Sequence, residues 1–146
     1  MITVNKLLEI KGHEIWSISP DALVYSALRL MAEKNVGAVL VIEDEKVVGI
    51  LSERDYARKI ILKGKRSANT LVREIMTHRV ISVTSDQSIE DCMQLITEKR
   101  IRHLPVYAGD QLLGIISIGD VVKAIISEQE FVIEQLENYI TGHQQR

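Results

Sequence analysis

GILSERD, residues 49–55, returns as GIISIGD, residues 114–120, with glycine, isoleucine, serine and aspartate in the same places. Extending outward from this pair, residues 15–59 align with 80–124 at a constant offset of 65 without a gap, and ten of the aligned pairs are identical. Many of the others keep only apolar character: Val24 with Ile89, Leu28 with Met93, Met31 with Ile96, Val47 with Leu112. A duplicated unit explains this better than chance, and it must be read before any single residue.

Each copy follows one plan. IWSIS and VISVT are short strands. Ser19-Pro20-Asp21 and Thr84-Ser85-Asp86-Gln87 carry capping side chains and, in the first copy, a proline, so helices are predicted to start there. Val24, Ala27, Leu28 and Met31, matched by Ile89, Cys92, Met93 and Ile96, recur at i, i+3, i+4 and i+7 and give each helix one apolar stripe. VGAVLVI and IRHLPVY follow as strands, EDEK and AGDQ as turns, and KVVGILS and QLLGIIS as third strands ending in the repeated motif. Tyr56, Ala57, Ile60 and Ile61, matched by Val121, Val122, Ile125 and Ile126, mark a second helix with its own buried side. The predicted architecture is therefore α/β (α+β), two β-α-β-β-α repeats related by a pseudo-two-fold. About 60 residues bury only a marginal core, so the halves are expected to support each other. The boundaries are 11–66 for the first repeat, 67–79 for a linker with a short turn at Val72–Met76, 80–130 for the second, and 131–146 for a terminal helix and tail. Val132, Leu136 and Tyr139 place an apolar stripe on that helix, either against the chain's own core or as a seam for a second copy, and Gly142 is its stop signal.

The repeated motif has two readings. Ser-x-x-Asp where a strand gives way to a helix resembles a capping box, with Gly49 and Gly114 easing close packing. Alternatively, a helix amino terminus offers N–H groups to a phosphate while a carboxylate accepts two hydrogen bonds from a ribose diol. Spacing alone leaves both open.

Composition narrows the class. With 46% hydrophobic and 26% charged residues the chain buries a core, and a formal charge of −2 gives no general attraction to nucleic acid or anionic membranes. One cysteine excludes an internal disulfide, and no metal-ligand spacing is visible. The amino terminus does not read as a signal peptide and no apolar run approaches a membrane span, so a cytoplasmic setting is expected.

The repeat order, the doubled Gly-Ile-x-Ser-x-x-Asp and the strand Arg102-His103-Leu104-Pro105-Val106 resemble a tandem pair of CBS (cystathionine β-synthase) domains, a Bateman module, over about residues 11–130. SERDYARKIILKGK, EIMT and IRHLPV with SIGDVVKAI are similar to the small stand-alone proteins of that family. The resemblance implies regulatory binding of AMP, ADP, ATP, NAD(H) or S-adenosylmethionine in clefts between repeats, a homodimer, no required cofactor, and a protein target reached in trans. It implies that Asp55 and Asp120 hold ribose hydroxyls, that Ser52 and Ser117 hold ribose or phosphate oxygens, and that Pro105 lies in an adenine-clamping strand. Proline at such a position lacks an N–H and leaves the ladder open there. Leu40 stands at the equivalent place in the first repeat, with Gly37 and Ala38 where the second has Arg102 and His103, so the two sites are expected to differ.

Arg54, Arg58, Lys59, Lys63, Lys65 and Arg66 form a basic cluster that reads as a solvated face, with Arg54, inside the motif, as the candidate phosphate contact. Cys92 reads as a small core residue, Trp16 and Met31 as core, and His13, His78 and His143 pair with no carboxylate motif. A catalytic role is not expected. The leading reading is a nucleotide-sensing regulatory module; the alternatives are a ligand-independent interaction adaptor and, with least support, a nucleotide hydrolase.

Overall fold

The structure, a computed structural model, describes residues 2–142; the tail 143–146, and His143 with it, lies outside the described residues. The chain forms two compact units, residues 14–81 and residues 1–13 with 82–146.

In the unit 14–81, β1 (Ser17–Ile18) runs parallel to β2 (Ala38–Glu43), which pairs antiparallel with β3 (Lys46–Ser52). Asp44 and Glu45 turn the hairpin at positive φ. Helix α2 (Val24–Lys34) lays Val24, Ala27 and Met31 on Val39, Val41 and Leu51, and Trp16 packs on the margin of this core under the Lys34 ammonium. Leu40 is fully buried yet outside the cluster, because alternate strand residues face opposite ways. After β3 come one turn of α-helix, α3 (Glu53–Tyr56), and a π-helical turn, Ala57–Ile61. The short helix α4 (Val72–Ile75) then returns to the same core through Val72, Ile75 and Met76, and Arg73 fastens it to Asp21 and Glu43.

The other unit repeats this with β4 (Val83–Thr84), α5 (Ile89–Lys99), β5 (His103–Ala108), β6 (Gln111–Ser117) and α6 (Ile118–Thr141). The place that α4 takes in the first unit is filled here from the start of the chain by α1 (Val4–Lys11), which buries Val4, Leu7 and Leu8. Both sheets bulge at the same step, opposite Val41/Ile42 and Val106/Tyr107. The second bulge leaves the Leu113 carbonyl free to accept a 2.8 Å hydrogen bond from His13 Nδ1.

Two expectations need correction, and one alternative left open is decided. The helices begin at Val24 and Ile89, not at Ser19–Asp21 or Thr84–Gln87. Ser19 Oγ instead accepts from Asp21 N in a turn, the Thr84 N–H is taken by the Gln87 side chain, and Leu23 bridges to Leu71. The apolar side of the second helix is only partly buried: Ile60 and Val121 are inside, whereas Ile61, Val122 and Ile126 are exposed. Ile61 and its repeat mate Ile126 are exposed alike, the first on the π-turn and the second on a regular α-helix, so this side of both helices faces outward. Finally, Val132, Leu136 and Tyr139 do not pack on the chain's own core; all three are exposed along α6, which does stop at Gly142 with φ 73°. Cys92 is fully buried, and burial, with Asp91 and Glu90 nearby, pushes its thiol pKa up to about 11, as suits a core residue.

The repeated glycines answer a steric demand. A Cβ on Gly49 would lie 2.7 Å from Met76 Sδ and 3.0 Å from the Thr77 carbonyl oxygen, where Thr77 and Ile50 exchange two backbone hydrogen bonds. On Gly114 it would meet Leu8 Cδ2 at 2.9 Å, the free end of a side chain. Gly49→Ala should therefore cost about 1–3 kcal/mol, because backbone must move, while Gly114→Ala should stay within roughly 1 kcal/mol as Leu8 shifts rotamer. Thermal melts of the two variants check this order.

Candidate ligand site at the strand-to-helix junctions

In each unit the third strand runs into a helix at the repeated serine. Ser117 Oγ accepts from Asp120 N at 3.2 Å, and Asp120 Oδ2 accepts from Ser117 N at 2.8 Å. Ser52 and Asp55 make the same reciprocal pair at 3.1 and 3.0 Å. Both motifs are capping boxes, and so are Ser88 and Asp91 at the start of α5, where no Gly-Ile precedes. Capping thus accounts for Ser-x-x-Asp by itself.

The surroundings distinguish the two copies. Asp55 is engaged on both oxygens. Oδ2 takes the Ser52 amide and hydroxyl, and Oδ1 takes Thr77 Oγ1 at 3.1 Å and Lys59 Nζ at 3.1 Å, with the side chain only 13% exposed. Lys59 is itself held by the Ile75 carbonyl. Helix α3 runs without a break into the π-helical turn, so this junction too opens a helical stretch, residues 53–61. At Asp120 both contacts converge on Oδ2: the Ser117 amide, and Lys11 Nζ at 2.5 Å, which also donates to the Ile115 carbonyl at 2.6 Å. The side chain is 25% exposed and stands on the first turn of a 24-residue helix. Burial pushes the Asp120 pKa up, but the hydrogen bonds from Lys11 and Ser117 outweigh it and hold the carboxyl below its ordinary value.

The other candidates gather at the same junctions. Gly37 accepts from Glu53 N and Ala38 pairs in register with Ser52; Arg102 accepts from Ile118 N and His103 pairs with Ser117. Arg54 is half-buried on α3. Pro105 is buried in β5, opposite Ile115. His103 is half-buried, and burial first, then the Lys11 and Arg102 charges against a smaller opposing pull from Asp120, lowers its pKa. The imidazole is neutral at pH 7. Two residues of this neighbourhood were not anticipated: Lys11 and Thr77. Thr3, Val4, Leu7, Leu8 and Gly12 do spell a capped amphipathic helix, but nothing local says that its last lysine meets residue 120.

The pH dependence follows with a definite sign. Because His103 titrates below its ordinary 6.5 when folded, the unfolded chain binds more protons and stability falls as pH drops below about 6.5. The Asp120 contribution is complete above its ordinary 3.8 and is lost only as pH falls through the lower folded value. Melting temperature should therefore decline between pH 7 and pH 5, and His103→Gln should flatten that slope; an unchanged slope would remove His103 from the account.

The model of the CBS domain matches this chain twice, over residues 9–62 and 72–127. The chain belongs to the CBS-domain family. The mitochondrial CBS domain-containing protein CBSX3 of Arabidopsis thaliana is 39% identical over 96% of this chain and 72% of its own length. A solved CBS-domain protein of Burkholderia ambifaria is 46% identical, with TM-score 0.84 over 88% of this chain and 96% of that one. The CBS domain pair of protein MJ0100, solved with 5′-methylthioadenosine and S-adenosyl-L-methionine, shares the fold at TM-score 0.77 and 18% identity, covering 88% of this chain and 98% of that one. The mixed α/β architecture of two repeats is thus that of CBS pairs. Among the described residues no helix is long and apolar enough to cross a membrane.

Proposed function

We propose that this CBS pair is a homodimeric regulatory protein that binds a phosphorylated adenosine ligand, AMP, ADP, ATP or NAD(H), and acts on a protein partner in trans. The observation that carries this reading is the Asp120 junction. A partly exposed carboxylate has its internal bonds gathered on one oxygen at the amino terminus of a long helix, with Lys11 beside it and Arg102 and the neutral His103 on the adjoining strand. The ribose diol takes Asp120, and the helix N-terminus and cations favour phosphate. The same cations disfavour the sulfonium of S-adenosylmethionine, although MJ0100 was solved with that ligand. The Asp55 junction, engaged on both oxygens, is the weaker site. Thermal unfolding of the nucleotide-stripped protein with AMP, ADP, ATP, NAD⁺, NADH and S-adenosylmethionine tests the proposal. Stabilisation by phosphorylated ligands is expected.

The adaptor reading keeps one specific support: the Ser52/Asp55 motif is satisfied internally, as Ser88/Asp91 is. A cooperative melt unmoved by every ligand would favour it.

A further inference from the structure

The two junctions share a motif and differ in what already fills the carboxylate. An ionised carboxylate has about four positions at which it accepts hydrogen bonds. Among the described residues, Asp55 meets the Ser52 amide and hydroxyl on Oδ2, and Thr77 Oγ1 and Lys59 Nζ, each at 3.1 Å, on Oδ1. Asp120 meets the Ser117 amide and Lys11 Nζ, both on Oδ2. The cap amide is common to both copies. So is a lysine that also donates to a backbone carbonyl, Ile75 for Lys59 and Ile115 for Lys11. The Ser52 hydroxyl has its counterpart in Ser117 and turns about a single bond. Thr77 has no counterpart: its repeat position, 65 residues earlier, is Gly12, at φ 107°.

Thr77 is also the donor least able to make way. It is half-buried, and it exchanges two backbone hydrogen bonds, at 2.9 and 3.0 Å, with Ile50 in the strand that leads to the motif. Gly49 permits this approach, since a Cβ there would stand 3.0 Å from the Thr77 carbonyl oxygen. Lys59, by contrast, is 38% exposed on a flexible stem. The group held so firmly is a hydroxyl that donates to Asp55 Oδ1, the same kind of bond that a ribose hydroxyl brings. We propose that Thr77 is a built-in substitute for the sugar at the Asp55 junction, and that this one side chain keeps the first repeat from taking the nucleotide that the second repeat takes. Without its hydroxyl, Asp55 regains an open acceptor, and Arg54 within the motif supplies a cation for phosphate. Thr77 is in this sense a specificity-determining residue, which sets one ligand per chain where the doubled motif allows two. The inference rests on the ligand binding proposed above.

The test is isothermal titration calorimetry of the nucleotide-stripped full chain with AMP, ATP and NADH in turn, on the wild type, T77A, T77S and T77A/D55A. The wild type is expected to take one nucleotide per chain, and T77A to take two of the same nucleotide. T77S keeps the hydroxyl and should stay at one. T77A/D55A should return to one, which assigns the added site to Asp55. Because the bridge to Ile50 is made by backbone, T77A keeps it, and a cooperative melt of each variant confirms folding. A T77A variant that still takes one nucleotide overturns the inference and leaves the ligand proposal standing, as does a wild type that already takes two. If the wild type and T77A both take none, the two proposals fall together. A wild type that takes none beside a T77A variant that takes one, lost again in T77A/D55A, upholds the role of Thr77 and overturns the site at Asp120.

Discussion

Leu8→Ala should destabilise the protein by about 3 kcal/mol, within the range of about 2–5 for a buried leucine cut to alanine, and lower its melting temperature by roughly 6–12 °C. Leu8 is completely buried and its side chain approaches Gly114, in the strand that leads to Asp120. Without it the seat of α1 on the second repeat is hollow beside Gly114, and Val4 and Leu7, with the hydrogen bonds of Lys11 and His13, must hold the segment. Ile10, two residues on, is 72% exposed, so Ile10→Ala should change stability by no more than about 0.5 kcal/mol. Equal effects of the two substitutions would show that α1 is an ornament of the fold. Circular dichroism melts of both variants settle the comparison.

Ligand response should depend on one aspartate. A ligand at a hundred times its dissociation constant stabilises the folded state by about 2.7 kcal/mol. Asp120→Ala should abolish that gain, because it removes the acceptor proposed for the ribose diol and the partner that holds Lys11 in place. Asp55→Ala should leave the gain intact while lowering baseline stability, since it strands the Ser52 amide, Thr77 Oγ1 and Lys59. Measuring the ligand-induced shift against each variant's own baseline separates the effects. A shift lost in Asp55→Ala and kept in Asp120→Ala would reverse the assignment of the site.

Much of the fold could be read from the chain because the repeat repeats its errors and its successes alike. Strand alternation, the stripe Val24-Ala27-Met31 with its mate Ile89-Cys92-Ile96, and the hairpin turns are local signals, and each stands twice. Helix starts were misplaced because Ser19 and Thr84 bind within turns, a use of a short polar side chain that competes with capping and looks the same in sequence. The burial of Ile61 and of its mate Ile126 was misjudged because apolar spacing marks a stripe on a helix without saying how much of its width the fold covers. At the candidate site, the serines and aspartates were legible and their state was not. Whether a carboxylate is open or engaged depends on Lys11, Lys59 and Thr77, and two of these reach it from distant parts of the chain.

The exchange of short helices between the repeats also sets an order of events on the ribosome. Residues 14–81 are contiguous, so their unit closes as soon as α4 emerges, whereas α1, made first, waits for a partner strand and carboxylate more than a hundred residues away. Leu7 sits at the repeat position of Val72, so α1 and α4 are repeat mates whose seats differ in contact order: the end of α4 bridges from Thr77 back to Ile50, whereas α1 reaches forward to Ile115 and Asp120.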